Sequence, residues 1–189
     1  MSKFLYLLYK NKATNCSFML EKISVKIDRL NERIGRNISW LTIILVVLVC
    51  YDVITRYVFK SSSVAVQELQ WHLFAIIFLM AAAYTLKYDE HVRVDVFYSK
   101  LSERSRAIID LVGTIVFLLP FCLIIIYASR YFVFTSFQIG ETSPDPGGLP
   151  ARYLLKAILP ISFFFVLLQG ISLILRSIVK IKMLSRREN

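Results

Sequence analysis

The chain has 189 residues, 57% of them hydrophobic, with a mean hydropathy of +0.60 and a formal net charge of +10. A composition so apolar excludes an ordinary water-soluble domain, because four long apolar runs leave no polar chain to cover them. The cations flank those runs rather than forming one basic face, which excludes a nucleic-acid-binding module.

Residues 1–37 read as a cytoplasmic N-terminal segment. The first apolar run, residues 4–9, is too short for the core of a secretion signal, and Lys10 and Lys12 follow it, so no cleavable signal is expected. Further on, Leu20, Ile23, Ile27, Leu30 and Ile34 recur at alternating spacings of three and four, the pattern of one helical face. Lys22, Lys26, Arg29 and Arg33 occupy other faces, with Glu21, Asp28 and Glu32 among them. A basic amphipathic helix beside a membrane span lies in the headgroup layer with its cations near anionic lipids, so this segment is expected to be an interfacial arm. A parallel coiled coil is the competing reading, but two heptads support it poorly. Gly35 and Asn37 suit a break where the chain turns into the bilayer.

Residues 38–177 read as a four-helix transmembrane domain, with apolar stretches at 39–58, 69–86, 107–134 and 154–175. Each reaches or approaches the roughly 20 residues that a helix needs to cross about 30 Å of hydrocarbon. The first ends with Asp52 and Arg56 one helical turn apart, acid first, a favourable order for an ion pair; snorkelling of Arg56 to headgroups explains it equally well. The second opens with Glu68, Trp71 and His72. Trp71 suits an interfacial belt, and Glu68 needs a partner, which Arg56 can supply across a short hairpin. On that reading, Arg56→Ala is expected to do more damage than Glu68→Gln.

The third stretch is long for a bilayer, so tilt, protrusion or a kink is expected, and Pro120 near its middle should bend the helix. A turn-rich outer loop follows, with Pro144, Pro146, Gly147, Gly148 and Pro150. In the fourth stretch Pro160 stands near the outer end, while Gln169 and Gly170 supply a hydrogen-bonding group and a close-approach position facing a neighbour. Residues 178–189 form a basic cytoplasmic tail.

Eighteen of the 23 Lys and Arg fall on one side of this alternating topology, which puts both termini in the cytoplasm. Cys16, Cys50 and Cys122 are scattered without a C-x-x-C spacing, and His72 and His91 are expected on opposite sides of the membrane. No metal site, cofactor site or catalytic constellation is therefore expected, nor is an enzyme. The middles of the spans are almost wholly apolar, which argues against a permeation path within the chain.

In order and spacing, these elements resemble the small membrane subunit (Q-type) of tripartite ATP-independent periplasmic (TRAP) transporters. The resemblance rests on Arg56-Tyr57-Val58-Phe59 at the end of the first span and Glu68-Leu69 at the start of the second. It continues with His91-Val92-Arg93-Val94-Asp95 after the second span, then Leu149-Pro150 and Pro160. It covers about residues 20–180. It implies an all-α bundle of four transmembrane helices behind the amphipathic arm, in the bacterial inner membrane. It also implies a much larger membrane subunit that carries the substrate and sodium sites, and a periplasmic substrate-binding protein that delivers an organic acid. The small subunit braces the scaffold of the large one. Asp52, Arg56, Glu68, Trp71, His91, Arg93, Asp95 and Gln169 are then structural or subunit-contact residues, with His91–Asp95 locking the turn after the second span. A compact four-helix proton-coupled antiporter is the competing function; it needs a carboxylate deep in a span, and Glu68 stands at an edge. A scaffold subunit of an unrelated membrane complex remains open on the residues alone.

Overall fold

The computed structural model describes residues 2–88 and 101–185, with side chains from Phe18 onward. Helix α1 (Ser2–Val58) is followed by α2 (Val64–Lys87) and α3 (Glu103–Gly113). A π-helical turn at Thr114–Leu118 joins α3 to α4 (Leu119–Gln138), and α5 is Arg152–Ser185. Among the described residues, four helical stretches are long and apolar enough to cross a membrane: Phe18–Val58, Val64–Lys87, Glu103–Gln138 and Arg152–Ser185. Both described chain ends lie at one end of the bundle, here the terminal rim. The α1–α2 and α4–α5 connections lie at the other, the distal rim.

The break expected at Gly35 and Asn37 is not formed, and arm and first span are one continuous helix. Gly35 serves a different purpose. A Cβ there would lie 2.4 Å from Tyr84 Cδ2 and 2.6 Å from Cγ, so only glycine lets α1 and α2 approach this closely. The 41 residues from Phe18 to Val58 make a rod of about 60 Å, twice the hydrocarbon thickness. Its arm half therefore extends past the hydrocarbon or runs at a slant through it.

The third span is irregular just before Pro120, where a π-helical turn stands beside the proline at which a kink was expected. Proline lacks an N–H and its ring crowds the carbonyl four residues earlier. The chain responds by widening one turn, so that the Leu119 N–H donates to Thr114 O, a π-type bond, while the backbone stays helical on both sides. Gly170 of α5 packs on this turn: a Cβ there would meet Leu118 Cδ2 at 2.9 Å. Pro160 interrupts nothing, since α5 runs straight through it.

Helix α5 is the hub and packs against α1, α2, α3 and α4. The α1–α2 hairpin lies on one side of it and α3–α4 on the other, and α2 and α4 do not pack on each other beyond isolated contacts. Burial is inverted relative to a soluble protein. Among the described residues, twelve buried side chains are polar or charged and five are apolar. Large apolar groups such as Phe78, Phe117 and Ile124 face outward instead. With lipid as the outer solvent, helices gain nothing by hiding leucines and associate through small residues and interhelical hydrogen bonds.

Candidate functional site

Two polar clamps, one at each rim, hold this bundle together. At the terminal rim, Ser24, Asp28, Asn31 and Gly35 succeed one another at helical spacing on the face of α1 turned to its neighbours. Asp28, 4% exposed, is the centre. Its Oδ1 accepts from Gln169 Nε2 and Ser172 Oγ, both at 2.9 Å, and its Oδ2 pairs with Arg176. Asn31 Nδ2 donates to Gln169 Oε1 at 2.7 Å, so Gln169, fully buried, bridges two residues of α1 through both ends of its amide. Asn31 Oδ1 is buried without a hydrogen-bond partner. Beside this ladder Glu32 accepts from Lys87 Nζ at 2.7 Å, tying α1 to the end of α2, and from Arg36 at 2.9 Å.

The amphipathic arm is thus present, but its contact with the bundle is polar. Ile23 and Leu30 are exposed, Leu20, Ile27 and Ile34 are half-buried, and Lys22, Lys26, Arg29 and Arg33 point outward. The polar stripe that does the packing was visible in the sequence at spacings of four, three and four. It was overshadowed by the stronger apolar periodicity of the same helix. Gln169 does face a neighbour, as its position in the fourth span suggests.

At the distal rim the expected triad of Asp52, Arg56 and Glu68 separates into two unlinked contacts. Arg56 Nη2 pairs with Asp52 Oδ2 at 2.5 Å within α1. Asp52 is 4% exposed and its Oδ1 has no hydrogen-bond partner. Glu68 does not share Arg56. Its Oε2 accepts the Leu149 N–H at 2.5 Å and its Oε1 accepts the Ser143 hydroxyl, so the carboxylate grips the loop between α4 and α5. Hairpin proximity favoured the Arg56 pairing; the loop wins because backbone folding brings an N–H and a hydroxyl onto the same carboxylate, 75 and 81 residues away in sequence.

The loop is built to be gripped. Ser143 N–H donates to Leu149 O at 3.1 Å and Gly148 N–H to Asp145 O at 3.0 Å, closing a tight turn in which Gly147 has φ of +80°. A Cβ on Gly148 would lie 2.4 Å from Ser143 Oγ and 2.8 Å from Glu68 Oε2, so glycine is required there for the carboxylate to arrive. Trp71 stands under the Arg152 guanidinium, 5.5 Å from ring centroid to cation, and stacks against His72. The loop base is fastened by Glu141, which pairs with Lys156 and accepts from Ser136 Oγ at 2.5 Å. His91, Arg93 and Asp95 lie outside the described residues.

The hydrogen-bonded Lys156 ammonium holds the Glu141 carboxyl below its ordinary pKa. The Ser136 hydroxyl adds to this and partial desolvation opposes it. A carboxyl depressed in the folded chain stabilises above the pKa of the unfolded one, about 4.3. It loses that contribution as pH falls through its folded value. Glu141→Gln is therefore expected to lower the melting temperature near pH 7, and the difference from wild type should vanish in melts taken progressively below about pH 4. A pH-independent difference would show that the Lys156 contact is not the cause.

Comparison with known proteins adds one finding. The family model described as tripartite ATP-independent periplasmic transporters, DctQ component, matches residues 45–180. No curated protein matches the chain. The matched stretch contains the distal clamp and the α5 half of the terminal clamp, and it begins after Ser24, Asp28 and Asn31. Since it takes in well over half of a chain already seen to be an all-helical, four-span bundle, this protein belongs to the DctQ family, a component of the tripartite ATP-independent periplasmic transporters.

Proposed function

We propose that this chain is the small membrane subunit of a sodium-driven uptake system for an organic acid. It braces the scaffold of a large transport subunit that carries the substrate and sodium sites and receives substrate from a periplasmic binding protein. It is not an enzyme. It sits in the bacterial inner membrane with the terminal rim, and both termini, in the cytoplasm. One observation carries this reading. The buried side chains with the richest hydrogen bonding join helix to helix and loop to helix: Asp28, Asn31, Gln169 and Ser172 at one rim, and Glu68, which holds Ser143, at the other. A transport site needs such groups to line a passage between the rims, whereas a brace needs them where they are.

The test is reconstitution. In proteoliposomes with an imposed sodium gradient, the purified chain alone is expected to accumulate no carboxylate, and uptake should appear when the large subunit and binding protein are added. Sodium-dependent accumulation by the single chain would overturn the proposal.

Orientation is tested separately. In a cysteine-free background, a membrane-impermeant maleimide added from the periplasmic side should label Asp145→Cys in the distal loop and leave Ser185→Cys untouched. The opposite pattern would invert the assignment of the two rims, and with it the positive-inside argument from the flanking cations.

A further inference from the structure

A groove of about 700 Å³ opens at the terminal rim, between the last turn of α2 and the α3–α4 segment, with α5 as its floor. It exists because α2 and α4 pack on α5 without packing on each other. Its walls change character along their length. Toward the bilayer it is lined by Phe117, Phe121 and Leu173; toward the rim it is lined by Lys87, Arg176 and Lys180, with Asp110 the one carboxylate among the described lining residues. From Phe121 to Asp110 is about 16 Å along the helix, the scale of a lipid from glycerol into its acyl chains. Phe117 and Phe121 are 73% and 55% exposed, far more than a packed core allows.

The cations are not used up by the bundle. Arg176 gives one nitrogen to Asp28 while 46% of its side chain remains exposed. Lys180 is exposed and forms no salt bridge among the described residues. Lys87 is held in place by Glu32 on the α1 side of the groove mouth. A phosphate-bearing headgroup with a net negative charge completes this arrangement, and an acyl chain fills the aromatic slot above it.

We propose that this groove binds one anionic phospholipid from the leaflet on the side of the termini, with its headgroup between Arg176 and Lys180 and an acyl chain along Phe117 and Phe121. The lipid bridges α2 to α3–α4, elements whose described residues barely touch each other. This site is distinct from the outward-facing cations of the arm, which meet the membrane surface diffusely.

The test uses the full chain in nanodiscs of phosphatidylcholine containing a small fraction of phosphatidylglycerol, with bromine placed on the acyl chains of one lipid or the other. Phe117→Trp introduces a reporter indole, whose emission is read against the same chain without the substitution. Brominated phosphatidylglycerol is expected to quench it several-fold more efficiently than brominated phosphatidylcholine at equal mole fraction. Lys180→Gln should reduce that preference about fivefold. Lys182→Gln, which removes the same charge from an exposed position not lining the groove, should leave it unchanged. Equal quenching by both lipids would mean an ordinary lipid annulus and overturn the proposal. Equal losses in the two lysine variants would reduce it to diffuse surface charge. Absence of quenching by either lipid would mean that no acyl chain enters the groove and would likewise overturn the proposal.

Discussion

Asp28→Ala is expected to be the most damaging single substitution in the terminal half of the bundle, lowering stability by roughly 3 kcal/mol. The carboxylate is the shared acceptor for Gln169, Ser172 and Arg176; removing it strands the fully buried Gln169 amide nitrogen and leaves the Ser172 hydroxyl only its longer bond to Ser24 O at 3.3 Å. Arg176, half exposed, finds solvent or lipid headgroups and contributes the smaller part of the loss. The arm should come away from α5, so amide exchange across residues 18–31 should rise together with the fall in melting temperature. Arg29→Ala, one residue on and exposed, is the control and should change neither. An Asp28→Ala chain with wild-type melting and an unaltered arm would show that the ladder is incidental to helix packing.

The distal rim should respond to Glu68→Ala by releasing the loop while the bundle stays intact. Leu149 N–H and the Ser143 hydroxyl lose their acceptor together, so amide exchange through residues 143–149 is expected to accelerate by roughly tenfold or more. Glu68→Gln should do less, because the amide oxygen still receives the Leu149 N–H and the Ser143 hydroxyl turns round to accept from the amide nitrogen. Gly148→Ala should mimic Glu68→Ala, since its Cβ occupies the space of the carboxylate and of Ser143. A cycle combining Glu68→Ala with Arg56→Ala separates the two contacts of this rim. Because Arg56 is held by Asp52 and Glu68 by the loop, the effects should add to within about 0.5 kcal/mol. Strong coupling would restore the single cluster that hairpin proximity suggested. Arg56→Ala has its own cost, leaving Asp52 buried with neither oxygen partnered.

Much of this protein is legible along the chain. Four spans, their order and the amphipathic arm follow from apolar run length and period, quantities set by the bilayer thickness and the helical repeat. Pro120 announced an irregular third span because a missing N–H has local consequences wherever the helix ends up. The sequence also carried the Ser24, Asp28, Asn31 and Gly35 stripe and the Gly147-Gly148 turn. Neither could be matched to its partner, because nothing local says which distant helix or loop a polar face will meet.

What the tertiary structure decided is pairing. It made Gly35 a point of helix contact with Tyr84 instead of a break, since a glycine in a helix is read by its neighbour across the interface as well as by its own backbone. It gave Glu68 to the loop and Asp28 to α5, choices that depend on which donors a folded backbone delivers to within hydrogen-bond distance. Lipid supplies little apolar drive between helices, so specificity in such a bundle resides in polar contacts and close approaches. Those contacts join residues about 50 to 150 positions apart, and only the assembled chain determines which of them form.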